Sequence, residues 1–170
     1  RRGRSVSSTV AATGPADDIR RRWAQARGPL FTDLYELVMA QIYFREGIAT
    51  QPAQFDYFFR RYPDYGTHQA GFCVTAGLRP LRAWLRELRF GELEVAALAE
   101  FRDSGGRQMF GADFLDWLSS DDCFQSLSMT AVAEGRVVHP HEPIVSVTGP
   151  LAAAQLIETA LLNHFNYATL

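Results

Sequence analysis

Lysine is absent from this chain: all 17 basic residues are arginine. A Schiff-base lysine, the lysine of a phosphate-binding loop and a lysine carrying biotin or lipoate are thereby excluded within these 170 residues. Cysteine is scarce. Cys73 and Cys123 lie far apart with no C-x-x-C partner, so neither a disulfide framework nor a zinc site is expected. Two small core thiols in a reducing, cytoplasmic setting fit better. Long apolar runs are missing too: none approaches the roughly 18 residues of a membrane helix, and nothing resembles the apolar centre of a signal peptide. The net charge of -2 gives no overall attraction to nucleic acid. Neither membrane nor nucleic acid is an expected partner. What is present, 47% hydrophobic and 12% aromatic residues, suits a soluble domain with one good core. At this length roughly 70% of the unfolded surface is buried on folding.

The first 28 residues differ in kind from the rest. Arg1 to Gly14 is rich in Arg, Ser, Thr and Ala with no acid, and Ile19 to Arg27 has the composition of a short basic helix. Such a start suits an organelle transit peptide, an upstream extension of the reading frame or a disordered tail. A disordered basic extension over 1–28 is the expectation. The chain does not open with Met, so its first residue is not expected to be a natural start.

Phe31 to Gln41 reads as the opening of a helix. Asp33 can accept a hydrogen bond from the first-turn amides, and Glu36, three residues on, can reach back to the Asp33 N–H as in a capping box. Leu34, Leu37, Val38 and Ile42 then recur at helical spacing, and Gly47 is placed as the stop. Tyr35 lies off that stripe. In a first turn it is either a half-buried aromatic with its hydroxyl in water, or a platform where an anionic ring meets free N–H groups and the positive end of the helix dipole.

Phe55 to Arg61 alternates as a strand, with Phe55, Tyr57 and Phe59 on one face and Asp56, Phe58 and Arg60 on the other, which predicts burial on both faces. After a turn at Pro63 to Gly66, Gly71 to Thr75 is a second short strand, and Leu78, Leu81, Leu85 and Leu88 mark the core face of a helix. Arg79, Arg82, Arg86 and Arg89 repeat one residue along. Such a row can hold phosphate, but with Trp84 as its one aromatic neighbour a solvated face is expected. Two short helices are predicted at about 92–102 and 112–119, separated by Ser104-Gly105-Gly106. Met129 to Ala133 and Arg136 to Val138 then predict a hairpin about Glu134-Gly135. Pro140 and Pro143 frame a loop before a strand over Ile144 to Thr148, giving a small β-sandwich module. In that loop His139-Pro140-His141-Glu142 has ligand-like residues at tight spacing. With no further His or Cys nearby, no metal is expected there. Pro150 opens a last helix, expected over about 150–163 and apolar around most of its circumference. Gln155, Glu158 and Thr159 share one of its faces, where a buried glutamate would need partners.

The string TDLYELVMAQIYFREG resembles the N-terminal signature of the nicotinate phosphoribosyltransferases, and further segments follow in the family's order. These are FDYFFRRYP at 55–63, AGL at 76–78, FLDWL at 114–118, AEGRVVHPHEPIVSVTGP at 133–150 and QLIETALLNHFNYATL at 155–170. The resemblance covers about 29–170 and departs at His139 and His141, where the family usually has an aromatic and an asparagine. It implies an α+β fold. Residues 29–149 would be the N-terminal domain of a type II phosphoribosyltransferase with a hammerhead or barrel-sandwich-like β module, and 150–170 the first helix leading into an α/β barrel largely missing here.

The activity implied is the joining of nicotinate to phosphoribosyl pyrophosphate, giving nicotinate mononucleotide and pyrophosphate in NAD salvage, driven by ATP hydrolysis through a phosphohistidine with magnesium present. None of His68, His139, His141 and His164 stands in the family's catalytic motif, so that histidine is expected beyond Leu170. In such proteins the tyrosine of TDLYE stacks on the pyridine ring in the neighbouring subunit's site across a homodimer interface. This implies substrate binding for Tyr35 and, besides its capping role, a secondary polar role near the ribose for Asp33. The 170 residues alone are then expected to be inactive, and to self-associate through the apolar last helix. Two other readings stay open: a nicotinamide-using relative, and a non-catalytic binding or assembly module built on the same domain.

Overall fold

A computed structural model describes residues 28–120 and 123–170, so the basic extension expected at the N-terminus lies, but for Gly28, outside the described residues. Helix α1 spans Leu34–Arg45. Its end has the chemistry read from sequence: Gly47 adopts φ 71, its N–H donates to Phe44 O, and the Ile48 N–H donates to Tyr43 O. This is the paired 5→2 and 6→1 pattern of a Schellman stop. Its inward face is not the one expected. Leu34 and Ile42 are exposed, and the buried residues are Glu36, Leu37, Ala40 and Gln41. Two polar residues turn inward because each meets backbone that needs a partner. Gln41 Nε2 donates to Met109 O at 2.9 Å, and its Oε1 accepts the Gly111 N–H at 2.7 Å.

The sheets are small and antiparallel. Strand β1 (Pro52–Tyr57) pairs with β5 (Val145–Pro150), and β5 pairs in turn with β3 (Ser128–Ala131), giving the order β1-β5-β3. Strand β2 (Cys73–Val74) pairs with β4 (Val137–Val138) in a separate ribbon. The expected hairpin of β3 with β4 is therefore corrected. A turn does form, with Gly135 at φ 85 and the Arg136 N–H on Ala133 O, but it carries the chain from one sheet to the other. Burial on both faces of β1 is corrected as well. Pairing ends at Tyr57, β1 is an edge strand, and Phe55 and Phe58 stay exposed while Tyr57 and Phe59 are buried.

Helix α2 (Leu78–Glu87) buries Leu81 and Trp84, with Leu78, Leu85 and Leu88 packed at the margin. Its arginine row faces solvent, and Arg79 Nε lies 3.2 Å from Glu134 Oε2. Helices α3 (Glu92–Ala99) and α4 (Ala112–Leu118) follow. The expected single last helix is divided in two. Helix α5 covers Leu151–Leu156 and α6 covers Glu158–Thr169, with Ile157 between them at φ -94 and ψ -1.

Two hydrophobic clusters make the interior. One gathers Tyr57, Phe59, Leu81, Trp84, Val145, Val147 and Phe165 around the sheets, α2 and α6. The other gathers Leu37, Phe110, Phe114, Leu115 and Leu118 around α1, α3 and α4. Helix α5 lies between, giving Ala154 to the first cluster and Ala152 and Leu156 to the second. A helix enclosed on both sides is apolar on both, its one polar residue, Gln155, being paired with Glu158, and its alanines let neighbouring backbone approach. Ala152 through Ile157 are buried by this chain's own elements, so this part of the helix offers no exposed apolar surface. Both cysteines are free and buried, and burial pushes the Cys123 thiol up to about 12, as suits core residues.

Candidate functional site

The site grows from the break at Ile157. The first N–H groups of a helix have no partner inside it, and a break creates a fresh set. Glu36 of α1 supplies the acceptor: its Oε1 takes the Thr159 N–H at 3.0 Å and lies 2.7 Å from Thr159 Oγ1. Its Oε2 accepts from the Thr32 hydroxyl, which also lies 3.3 Å from Leu156 O. A side chain inserted into the helical ladder is a recognised cause of a kink. Glu36 thus caps α6 from a distance of 123 residues. It is fully buried, and burial, with the like charge of Glu158, raises its carboxyl above the ordinary 4.5 while the Thr32 and Thr159 hydrogen bonds oppose the rise.

The capping box expected between Asp33 and Glu36 is therefore corrected. Asp33 holds the extended N-cap conformation but makes no side-chain cap hydrogen bond; its Oδ2 lies 3.0 Å from Thr159 Oγ1. Glu36 is drawn away because a fresh helix terminus at the positive end of a 12-residue dipole is a stronger partner for a carboxylate than one exposed N–H. Glu158 sits in the first turn of the same helix and accepts from Gln155 Nε2 at 2.6 Å. Three acidic residues, Asp33, Glu36 and Glu158, thus meet around the start of α6.

Tyr35 stands at this junction with 48% of its surface exposed. Its hydroxyl lies 3.4 Å from Glu36 Oε1. Burial and the charges of Glu158, Glu36 and Asp33 push it up to about 12, so the phenol stays neutral and donates. The hydroxyl edge faces carboxyl groups and a large part of the ring is open. Next to it Asp33, Thr159, Leu162, Asn163, Asn166 and Tyr167 line an open depression of about 530 Å³. Asn166 Oδ1 accepts from the Tyr57 hydroxyl at 2.7 Å, leaving its amide N–H groups for another partner. The roles of Glu36 and Thr159 were not read from sequence. The signal was there: Thr159, Asn163 and Asn166 recur at i, i+4 and i+7 along one face of the helix.

The structure separates the two histidines of the Pro-framed loop. His139 Nδ1 pairs with the Tyr62 hydroxyl at 2.6 Å, while His141, at φ 66, sets its ring 5.8 Å from that of Phe58. Among the described residues no three His, Cys, Asp or Glu side chains converge as metal ligands, and no helix is long and apolar enough to cross a membrane.

The profile of the nicotinate phosphoribosyltransferase N-terminal domain matches residues 30–166. The nicotinate phosphoribosyltransferase of Bacillus subtilis is 40% identical over 141 residues, covering 83% of this chain and 26% of that protein. That of Caenorhabditis elegans is 36% identical over 142 residues, covering 84% and 24%. The crystal structure of human nicotinic acid phosphoribosyltransferase superimposes with a TM-score of 0.68 at 36% identity, over 80% of this chain and 25% of that one. A nicotinate-nucleotide pyrophosphorylase from Pyrococcus furiosus shares the fold at 18% identity and a TM-score of 0.50. The chain spans about a quarter of the length of these relatives. With a domain match over nearly all described residues, an α+β fold of small sheets and an alignment shared with human and bacterial enzymes, this chain belongs to the nicotinate phosphoribosyltransferase family and carries its N-terminal domain.

Proposed function

We propose that the protein containing this chain joins nicotinate to phosphoribosyl pyrophosphate, and that Tyr35 and Asp33 are substrate contacts. The observation that carries the reading is the Tyr35 ring, half exposed on a first turn whose neighbour Glu36 is locked into the α6 terminus. A flat, electron-poor pyridine ring suits a tyrosine face, and such a contact contributes about 0.5–1.5 kcal/mol beyond area burial. The carboxyl groups around the hydroxyl orient it. They repel the carboxylate of nicotinate, which turns away from Glu36 and Glu158. They favour the ring nitrogen as it becomes cationic on forming its bond to the ribose anomeric carbon, while the bond from that carbon to pyrophosphate breaks. Asp33, lining the depression, is set toward the ribose, where positive charge also develops.

In this reading Tyr35 serves the site of the neighbouring subunit in a cytoplasmic homodimer. The two small sheets form the hammerhead-like module, and the helices from Leu151 onward lead into the barrel. ATP, whose hydrolysis passes through a phosphohistidine, and magnesium belong to the three quarters of the relatives that this chain does not span. The test is steady-state kinetics of the full-length protein. Tyr35→Ala is expected to lower kcat/KM for nicotinate about tenfold or more, following 1.4 kcal/mol per decade, with Tyr35→Phe much milder. A folded Tyr35→Ala with unchanged kcat/KM would make Tyr35 a structural aromatic. Activity with nicotinamide alone, or none in the full-length protein, would replace the substrate reading.

A further inference from the structure

One hydroxyl is shared between a buried carboxyl and an exposed one. Thr159 Oγ1 lies 2.7 Å from Glu36 Oε1 and 3.0 Å from Asp33 Oδ2. A threonine hydroxyl has one proton to donate and lone pairs to accept with. Glu36 Oε1 already accepts the Thr159 N–H, so the hydroxyl proton can turn to Asp33 Oδ2. The chain of contacts leads from a fully buried residue to the wall of the depression lined by Asp33 and Thr159.

We propose that Thr159 and Glu36 are positioning residues for substrate, the Thr159 hydroxyl holding the Asp33 carboxylate, and with it the first turn that carries Tyr35, toward the depression beside α6. The inference rests on the substrate roles of Asp33 and Tyr35. A merely structural clamp has no need of the hydroxyl, because the Thr159 N–H already donates to Glu36. Left without the hydroxyl, Asp33 swings free in solvent and no longer presents one orientation to the ribose.

Thr159→Val keeps the N–H and removes the hydroxyl; Thr159→Ser keeps both. In the full-length protein Thr159→Val is expected to lower kcat/KM about tenfold, with Thr159→Ser close to wild type. Adding Thr159→Val to Asp33→Asn is expected to cost little more, because the hydroxyl acts through Asp33. Amide hydrogen exchange over 33–36 should quicken in Thr159→Val and not in Thr159→Ser, a readout independent of turnover. Should valine disturb folding, Thr159→Ala, with its better helix propensity, makes the same comparison. Wild-type kinetics in a folded hydroxyl-less variant, additive losses with Asp33→Asn, or unchanged exchange would each overturn the proposal. An inactive wild-type protein with the exchange result intact would contradict the substrate reading while supporting the positioning.

Discussion

Glu36 shows how one residue can do a different job from the one its local sequence offers. Three residues after an N-cap aspartate it fits a capping box, yet it is buried and caps another helix. Local pattern could not reveal this, because the partner is 123 residues away and does not exist until the last helix breaks. The groups facing Glu36 are Thr32, Asp33 and Tyr35 from its own side and Glu158 and Thr159 from α6. None is a cation, and burial is the first cause of its raised carboxyl. The sign follows: the folded state binds the Glu36 proton more tightly than the unfolded chain, so this contribution to stability is complete below the ordinary 4.5, falls as pH rises, and levels off above the folded value. Glu36→Gln cannot titrate. Thermal melts from acid to neutral pH are expected to show the wild type losing stability relative to Glu36→Gln as pH rises; parallel curves would show that Glu36 is as easily ionised in the fold as outside it.

At the scale of elements, local chemistry was legible wherever it decided the outcome. Gly47 ends α1 as its position predicts, through two backbone hydrogen bonds within the helix's own last turn, and the leucines of α2 face the core. Strand pairing was less legible: β3 and β4 are joined by a turn of the right composition, yet β3 pairs with β5 and β4 with β2. Two-residue strands such as β2 and β4 have too little pattern to fix a register. Two glycines separate local strain from packing. Gly47 at φ 71 has open space where a Cβ would go, whereas a Cβ on Gly77, at φ 100, would stand 2.2 Å from His164 O of α6. Gly47→Ala is expected to cost about 1 kcal/mol. Gly77→Ala adds a backbone collision that only a shift of α2 from α6 can relieve, and is expected to cost about 3 kcal/mol or more. Denaturant melts of the two variants check the order; equal losses would mean that the contact between α2 and α6 is loose.

For the molecule as a whole, the family was legible in six ordered segments, while the candidate site was legible only in its exposed part. Tyr35 and Asp33 could be singled out because they sit in a recognisable string; the partners of Thr159 and the break at Ile157 could not, because they follow from how α1 meets the last helices. Helix α5 fills the gap between both clusters, while Glu36 and Asp33 tie the first turn of α1 to Thr159 of α6. This junction is expected to present the Tyr35 face to the pyridine ring. It is tested most directly by a crystal structure of the full-length protein with nicotinate bound. The pyridine ring is expected to stack on Tyr35 at about 3.5–4.0 Å, the ordinary carbon contact distance, with the nicotinate carboxylate turned away from Glu36 and Glu158. Nicotinate bound with no atom in contact with the Tyr35 ring of either subunit would contradict it.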